Sequence, residues 1–356
     1  MEIQNKHNDD KKVINLDDII KTNNTSGLAN VHSTCYINTA IQCLGYCPQF
    51  FKFIIAGSPR KLNTPLTNEL KEIFVELWIQ QNAIAPMKFL QSLSNTLGDL
   101  INIKEQNDVS EFVILYLDKL NTDLAVELLV ENDDINKIKK TNKKNYSNPA
   151  FSELCSIMDI AWLNSVKKEY SPILDMFYGQ IISQIVCGNC QHIHHNYENY
   201  CGMSLPIGKN EKTLIDVLNM YFSDETLNKK DKDWKCDKCN THCESTKTTK
   251  IWRNPNILMI TLKRFDSNLC KNNVSINMPE RIDLSTFCLY TKNRTYNLVS
   301  VCVHKGSLGG GHYISVCKHR NGKWFIIDDL SVSEASKVDV ENALNKGYMY
   351  FYEVIS

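Results

Sequence analysis

The chain has 356 residues, 43% apolar and 22% charged, with 40 basic side chains against 40 acidic ones. That length allows about two domains or one large divided one, and the composition is that of an ordinary globular protein. The balanced charge leaves no electrostatic footprint for nucleic acid or an anionic membrane, and no stretch approaches the roughly 18 apolar residues of a membrane-spanning helix.

Residues 1 to 25 are polar, rich in Asn and Lys, and lack the apolar core of a signal peptide; they read as a mobile arm on an intracellular protein. From Gly27 to about Leu129 the pattern is helical: "FLQSLSNTLGDL" and "DVSEFVILYLDKLNTDL" repeat apolar residues every three or four positions. Residues 131 to 149, charged and ending in Pro149, read as a surface loop or insertion. After Pro172 the character changes. "MFYGQIISQIVCGNCQHIHHNY" reads as strands joined by a tight turn at its cysteines, and "TLIDVLNMYF" as a helix capped by Thr213. "NILMITLKRF" reads as a buried strand, and the last hundred residues alternate in the β manner, with a hairpin turn at Asn321-Gly322. The fold class is α+β, helical first and mainly β second.

Fourteen cysteines are scattered except for two Cys-x-x-Cys pairs. With no secretion signal, they suggest a metal site or a catalytic thiol rather than a disulfide framework. In "GLANVHSTCYINTAIQCLGYCP" the spacing predicts a helix beginning at Cys35, with Tyr36, Ile37, Ala40, Ile41 and Leu44 on one face, Ser33 or Thr34 as cap, and Pro48 ending it. A thiol in the first turn meets unpaired N–H groups and the positive end of the helix dipole, which lowers its pKa.

A nucleophilic thiolate needs a histidine and a group to orient it. "GSLGGGHYISVCKHRNGKWFIIDDL" supplies His312 after three glycines, then a hairpin returning to Asp328 and Asp329. A two-residue loop pairs Ser315 with Asp328 and sets Asp329 on the face of His312. A three-residue loop, with Gly322 left-handed, pairs Ile314 with Asp328 and puts Asp328 diagonal to His312. Both loops are common. Separately, "CGNC" at 187 to 190 and "CDKC" at 236 to 239 offer Cys187, Cys190, Cys236 and Cys239 as four thiolates for one tetrahedral structural zinc. The segment between the pairs, 191 to 235, is longer than in a compact zinc ribbon. His192, His194, His195, Cys201, His242 and Cys243 stand nearby as substitute ligands.

Taken together, these stretches resemble the ubiquitin-specific proteases, papain-like deubiquitinases, from about Gly27 to Tyr352. "GLANVHSTCYINTAIQCL" resembles their cysteine box, "QNDVSEF" their glutamine-aspartate box, "YGQIISQIVCGNC" with "WKCDKC" their zinc-bearing fingers, "ILMITLKRF" the strand entering the palm, and "GGGHYISV" with "KWFIIDD" their histidine box. The resemblance implies a thumb at about 26–172, fingers at about 173–253 and a palm at about 254–356, with the active site between thumb and palm. It implies Cys35 as nucleophile, His312 as base and acid, Asp328 as the third member with Asp329 in reserve, and Asn30 as oxyanion donor. It implies that Asp108 and Glu111 hold the basic tail of ubiquitin, that Gly309, Gly310 and Gly311 form a flexible blocking loop over the channel for its Gly-Gly end, and that Gly310, Gly311 and Tyr313 contact the substrate. One structural zinc, ubiquitin and ubiquitinated proteins as partners, and a monomeric enzyme follow from the same likeness. The chain departs from the family in carrying His32-Ser33 where Gly-Asn is usual and Asn107 where a second Gln is usual. A catalytically weak ubiquitin-binding protein, or a protease for another modifier ending in Gly-Gly, are the competing expectations.

Overall fold

The structure is a computed structural model. It describes residues 2–3, 14–15, 26–57, 64–230, 232–265, 270–289, 294–307 and 310–355. Apart from a short antiparallel pairing of β1 (Glu2–Ile3) with β2 (Ile14–Asn15), the expected arm over 1–25 lies outside the described residues, as does Gly309.

The first half is helical. Helix α1 (Cys35–Gly45) is buried along its whole length, not on one face only. It lies between helix α5 and the sheet that carries His312, so even its polar residues are enclosed. Pro48 does more than end it: its fixed φ begins the next helix, α2 (Pro48–Ala56). Helices α3 (Pro65–Phe74), α4 (Met87–Leu97) and α5 (Val109–Leu124) complete the layer and pack Phe50, Phe51, Phe74 and Trp78 edge-on and stacked beneath α1.

The stretch 131–149 is not a loop. It forms α6 (Asn132–Asn145), followed by α7 (Pro149–Val166). Its composition conceals the helix because it packs through little apolar surface. What holds it is a capping box between Glu131 and Asp134, acids in the first turn, Lys143 and Lys144 in the last, and buried Asn142 donating to Asp159 at 3.0 Å. No helix among the described residues is long and apolar enough to cross a membrane.

After α8 (Pro172–Phe177) come two sheets. The smaller has the order β4-β3-β7-β6, from β3 (Tyr178–Cys187), β4 (Ile193–Cys201), β6 (Glu225–Leu227) and β7 (Ser245–Arg253). The larger has the order β13-β12-β11-β10-β14-β8-β5, with β9 (Arg281–Asp283) pairing on β10. Its members are β5 (Met203–Pro206), β8 (Ile257–Lys263), β10 (Thr295–Ser307), β11 (Gly310–Lys318), β12 (Trp324–Asp328), β13 (Ser331–Glu334) and β14 (Met349–Val354). The stretch 173–253 is therefore not one spatial unit. Met203–Pro206 runs parallel to β8 in the large sheet, and α9 (Leu214–Tyr221), capped by Thr213, packs on it. Strand β8, last but one in that order, is buried from Ile257 to Leu262 with only Lys263 exposed, as a strand covered on both faces must be. Helix α10 (Lys337–Lys346) closes the far face.

Candidate active site

The site is built where α1 meets β11 and β12. The segment before α1 makes a left-handed turn at His32, φ 68°. A side chain there costs on the order of 1–2 kcal/mol relative to glycine. The turn folds Asn30 back so that its Oδ1 accepts from Thr34 N–H at 3.0 Å and from Thr34 Oγ1 at 3.3 Å. Thr34 Oγ1 in turn accepts from Val31 N–H at 3.0 Å. The expected Ser33 or Thr34 cap is thus replaced: Thr34 makes no side-chain cap to the helix.

Cys35 is only 4% exposed. Burial raises its thiol pKa; N–H groups of Tyr313, Tyr36 and Cys35 itself pull it down, and the charge of Asp329 adds to the rise. The helix start therefore does not lower this pKa in the closed molecule, contrary to the sequence expectation, because loss of water outweighs the backbone donors. Cys35 and Tyr313, the residue next to His312, line one cleft.

His312 lies near the start of β11. The β11–β12 register pairs Lys318 with Trp324 and Ser315 with Ile327, and His319 N–H donates to Lys323 O at 2.8 Å. Gly322 has φ 86°. This is the three-residue loop, the alternative that sets Asp328 diagonal to His312. His312 Nε2 and Asp328 Oδ1 are 2.6 Å apart, whereas Asp329 Oδ2 is 3.9 Å from the same nitrogen. With Nε2 held by Asp328, Nδ1 is the nitrogen left for other work. Lys305 Nζ stands 3.9 Å from the other oxygen of Asp328.

Asp329 has a different task. At φ 51° it turns its carboxylate toward the segment before α1. Oδ2 accepts from Asn30 Nδ2 at 2.9 Å, Oδ1 from Asn38 Nδ2 at 2.8 Å, and its carbonyl from Leu28 N–H at 3.0 Å. Asn38 also donates to Leu28 O at 3.2 Å. Gly27 is required here, since a Cβ would stand 2.1 Å from Asp329 O. Asp329 thus ties the large sheet to the segment that leads into Cys35 and holds one hydrogen of the Asn30 amide. Sequence reading missed Asn38. Its signal was an amide one helical turn beyond Cys35 in a mostly apolar helix.

A cleft of about 180 Å³ opens beside Cys35, lined by Tyr36, Gln106, Asp108, His304, Gly311 and Tyr313 among others. Gln106 spans it: Nε2 donates to Gly311 O at 3.0 Å, and Oε1 accepts from Gly311 N–H at 3.1 Å. A side-chain amide here imitates a neighbouring strand. Asn107 donates to Tyr36 Oη at 3.1 Å. Gly311 must be glycine, because a Cβ would meet His304 Nε2 at 2.0 Å; at Gly310 nothing lies within 4 Å. Tyr313 is buried against His304, ring centroids 4.6 Å apart. His304 is held neutral by burial, its pKa lowered to about 4, and its Nδ1 has no hydrogen-bond partner. Neither Gln106 nor His304 was singled out from the sequence.

Asp108 and Glu111 sit in different surroundings. Asp108 caps α5: Oδ1 accepts from Ser110 N–H at 2.7 Å and Glu111 N–H at 3.1 Å, and Oδ2 accepts from Tyr348 Oη. Little acceptor capacity remains on it. Glu111 is exposed.

Away from the cleft, the sulfurs of Cys187, Cys190, Cys236 and Cys239 all lie within 4.8 Å of one another. Cys187 to Cys239 and Cys190 to Cys236 are each 3.7 Å. A tetrahedral site with Zn–S near 2.3 Å has edges of about 3.8 Å, so the chemistry and spacing of the four donors fit a metal ion. The two loops share one backbone shape. Cys187 N–H donates to His192 O and accepts at its own carbonyl from Gln191 N–H; Cys236 does the same with Thr241 and Asn240. Gln191 and Asn240 are both left-handed, φ 58° and 56°.

Comparison with known proteins agrees with this geometry. The family model described as "Ubiquitin carboxyl-terminal hydrolase" matches residues 26–352. Ubiquitin carboxyl-terminal hydrolase Usp2 of Drosophila melanogaster is 28% identical over 348 residues, covering 94% of this chain and 35% of that protein. Ubiquitin carboxyl-terminal hydrolase 2 of Bos taurus is 27% identical over 352 residues, covering 93% of this chain and 55% of that protein. The chain thus spans about a third to a half of those relatives. Among solved structures, the SAGA DUB module Ubp8/Sgf11/Sus1/Sgf73 bound to monoubiquitin aligns with a TM-score of 0.68 at 25% identity, covering 93% of this chain and 69% of that one. The same module bound to ubiquitin aldehyde aligns at 0.71 and 24% identity, covering 94% and 70%.

Proposed function

Since the chain belongs to the ubiquitin carboxyl-terminal hydrolase family, we propose that it is a thiol-dependent deubiquitinase, cleaving the bond after the C-terminal glycine of ubiquitin by acyl transfer through Cys35. The observation that carries this reading is the pairing of His312 Nε2 with Asp328 Oδ1 at 2.6 Å, on the strand whose next residue, Tyr313, lines the same cleft as Cys35.

In this mechanism Asp328 fixes the tautomer of His312, so that Nδ1 takes the proton of the Cys35 thiol. The thiolate attacks the glycine carbonyl. The oxyanion is met by the N–H of Cys35 and by the amide hydrogen of Asn30 not bonded to Asp329. His312 then returns the proton to the departing lysine amine, and water, deprotonated by His312, releases the acyl group. Burial that raises the thiol pKa makes the proton transfer to His312 part of the work. Entry of a Gly-Gly end along β11 displaces Gln106 from Gly311, exchanging one strand-like partner for another. Glu111, exposed in the first turn of α5, is the acid we assign to the basic tail, with Asp108 capping the helix that presents it.

The four cysteines would hold one structural zinc, which when bound cross-links the tips of β3–β4 and of the segment before β7. All four positions are thiolates, so no ligand site is open for water. A second reading, a ubiquitin-binding protein of low activity, is favoured by two observations: the strained His32 and the buried thiol. Ubiquitin bearing a C-terminal fluorogenic amide separates the two. Release by the wild-type chain, lost in His312→Ala, is expected. Ubiquitin binding without any release would support the second reading.

A further inference from the structure

A fifth sulfur stands at the cysteine cluster. Cys243 Sγ is 3.3 Å from Cys187 Sγ, closer to it than any ligand sulfur is recorded to be, and its other neighbour is Ser245 Oγ at 3.4 Å. Its place follows from the shared loop shape. Seven residues after Cys187 comes His194, which leans across to Asp237 of the second loop at 3.4 Å. Seven residues after Cys236 comes Cys243, which leans across to the first loop. The two loops each send one side chain over the other; on one side that side chain is a thiol.

At 3.3 Å from Cys187, shorter than the tetrahedral edge of about 3.8 Å, Cys243 is too close to be a simultaneous fifth vertex beside it. It is instead well placed as a replacement. A change of χ1 well moves a cysteine sulfur by roughly 3 Å, enough to carry Cys243 into the vertex of Cys187 while Cys190, Cys236 and Cys239 stay in place. We propose that Cys243 is an exchanging ligand of this metal centre, able to take the position of Cys187, so that the site is served by five thiols and exchanges metal by internal substitution. The exchange is balanced: the sulfur–metal bond to Cys187 breaks as that to Cys243 forms, and one proton moves from the entering thiol to the leaving one. This rests on the reading that the four-cysteine group binds zinc.

Cobalt(II) titration of the full chain tests it, because thiolate-to-cobalt absorption grows with the number of sulfur ligands. Wild type should bind one equivalent with a four-thiolate spectrum; failure at that step would sink the zinc reading itself. Given metal binding, Cys187→Ser should keep the four-thiolate intensity, and Cys187→Ser/Cys243→Ser should lose about a quarter of it, with affinity down at least tenfold. A three-thiolate spectrum already present in Cys187→Ser, and unchanged by the second substitution, would overturn the proposal. Should Cys187→Ser not fold, transfer of zinc from wild type to a chromogenic chelator decides against Cys243→Ser. Several-fold slower release without Cys243 supports internal exchange; equal rates contradict it.

Discussion

In the small sheet, two loops of identical backbone shape bring four sulfurs together, each loop closed by its own hydrogen bonds and a left-handed residue four positions after its first cysteine. In the cleft, the nucleophile's loop and the acid that anchors it are 299 residues apart in sequence, joined through Asn30 and Asp329. The first site is locally encoded and needs only the meeting of two tips. The second exists only when thumb-side helices and palm sheet are docked. Damage to the docking should therefore silence the cleft and spare the metal site, whereas loss of metal should do the reverse.

The largest effect is expected at the sulfur itself. Cys35→Ala should reduce cleavage of a ubiquitin amide by at least about 10⁴-fold, with ubiquitin affinity by calorimetry and metal content both retained. Next come the adjacent acids, which the structure separates by task. Asp328→Asn should lower kcat/KM by on the order of 10²–10⁴ with little change in urea midpoint. Asp329→Asn should instead cost about 1–3 kcal/mol in urea unfolding, through the lost bonds to Asn30 and Asn38. Equal effects on stability from both would break the division. Metal removal is third: at a free zinc concentration of 1,000 Kd, binding stabilises by about 4 kcal/mol. A strong chelator should lower Tm accordingly while leaving alkylation of Cys35 at 25 °C unchanged.

The smallest effect concerns pH. Folding raises the Cys35 pKa, so the folded state binds this proton more tightly. Stability from this group is full below the unfolded thiol value, about 8.5, and is lost as pH rises through the folded value. Iodoacetamide labelling of the free protein should accordingly rise with a midpoint above about 8.5. Gln106→Ala, which frees Gly311, should speed labelling at pH 8 a few-fold. A midpoint below 7 would show a thiolate already formed.

Much of this was readable in the sequence because the decisive features are periodic or local. The short apolar runs of β11 and β12, the Asn321-Gly322 turn and the paired Cys-x-x-Cys each carry their own local signal, although β11 is buried continuously from Tyr313 to Cys317 and does not alternate. Register was the exception: two hairpin loops fit the same letters, and only the pairing of Ser315 with Ile327 separated them. What escaped was set by tertiary contact. Helix α6 is held by caps and one buried amide rather than an apolar stripe, so periodicity had nothing to count. The rise in the Cys35 pKa comes from burial, which no spacing reveals. The sequence did not show that Asp108 caps α5 and accepts from Tyr348, a contact 240 positions away. Gln106 reaches Gly311 across 205 positions, a pairing with no local signature.

The most direct test of the account is reaction of the intact chain with ubiquitin carrying a C-terminal propargyl group, followed by peptide mapping. The account predicts one ubiquitin adduct per chain, on Cys35, lost in Cys35→Ala and strongly reduced in His312→Ala. A folded chain that binds ubiquitin and forms no adduct, or forms it on another of its cysteines, would contradict the account.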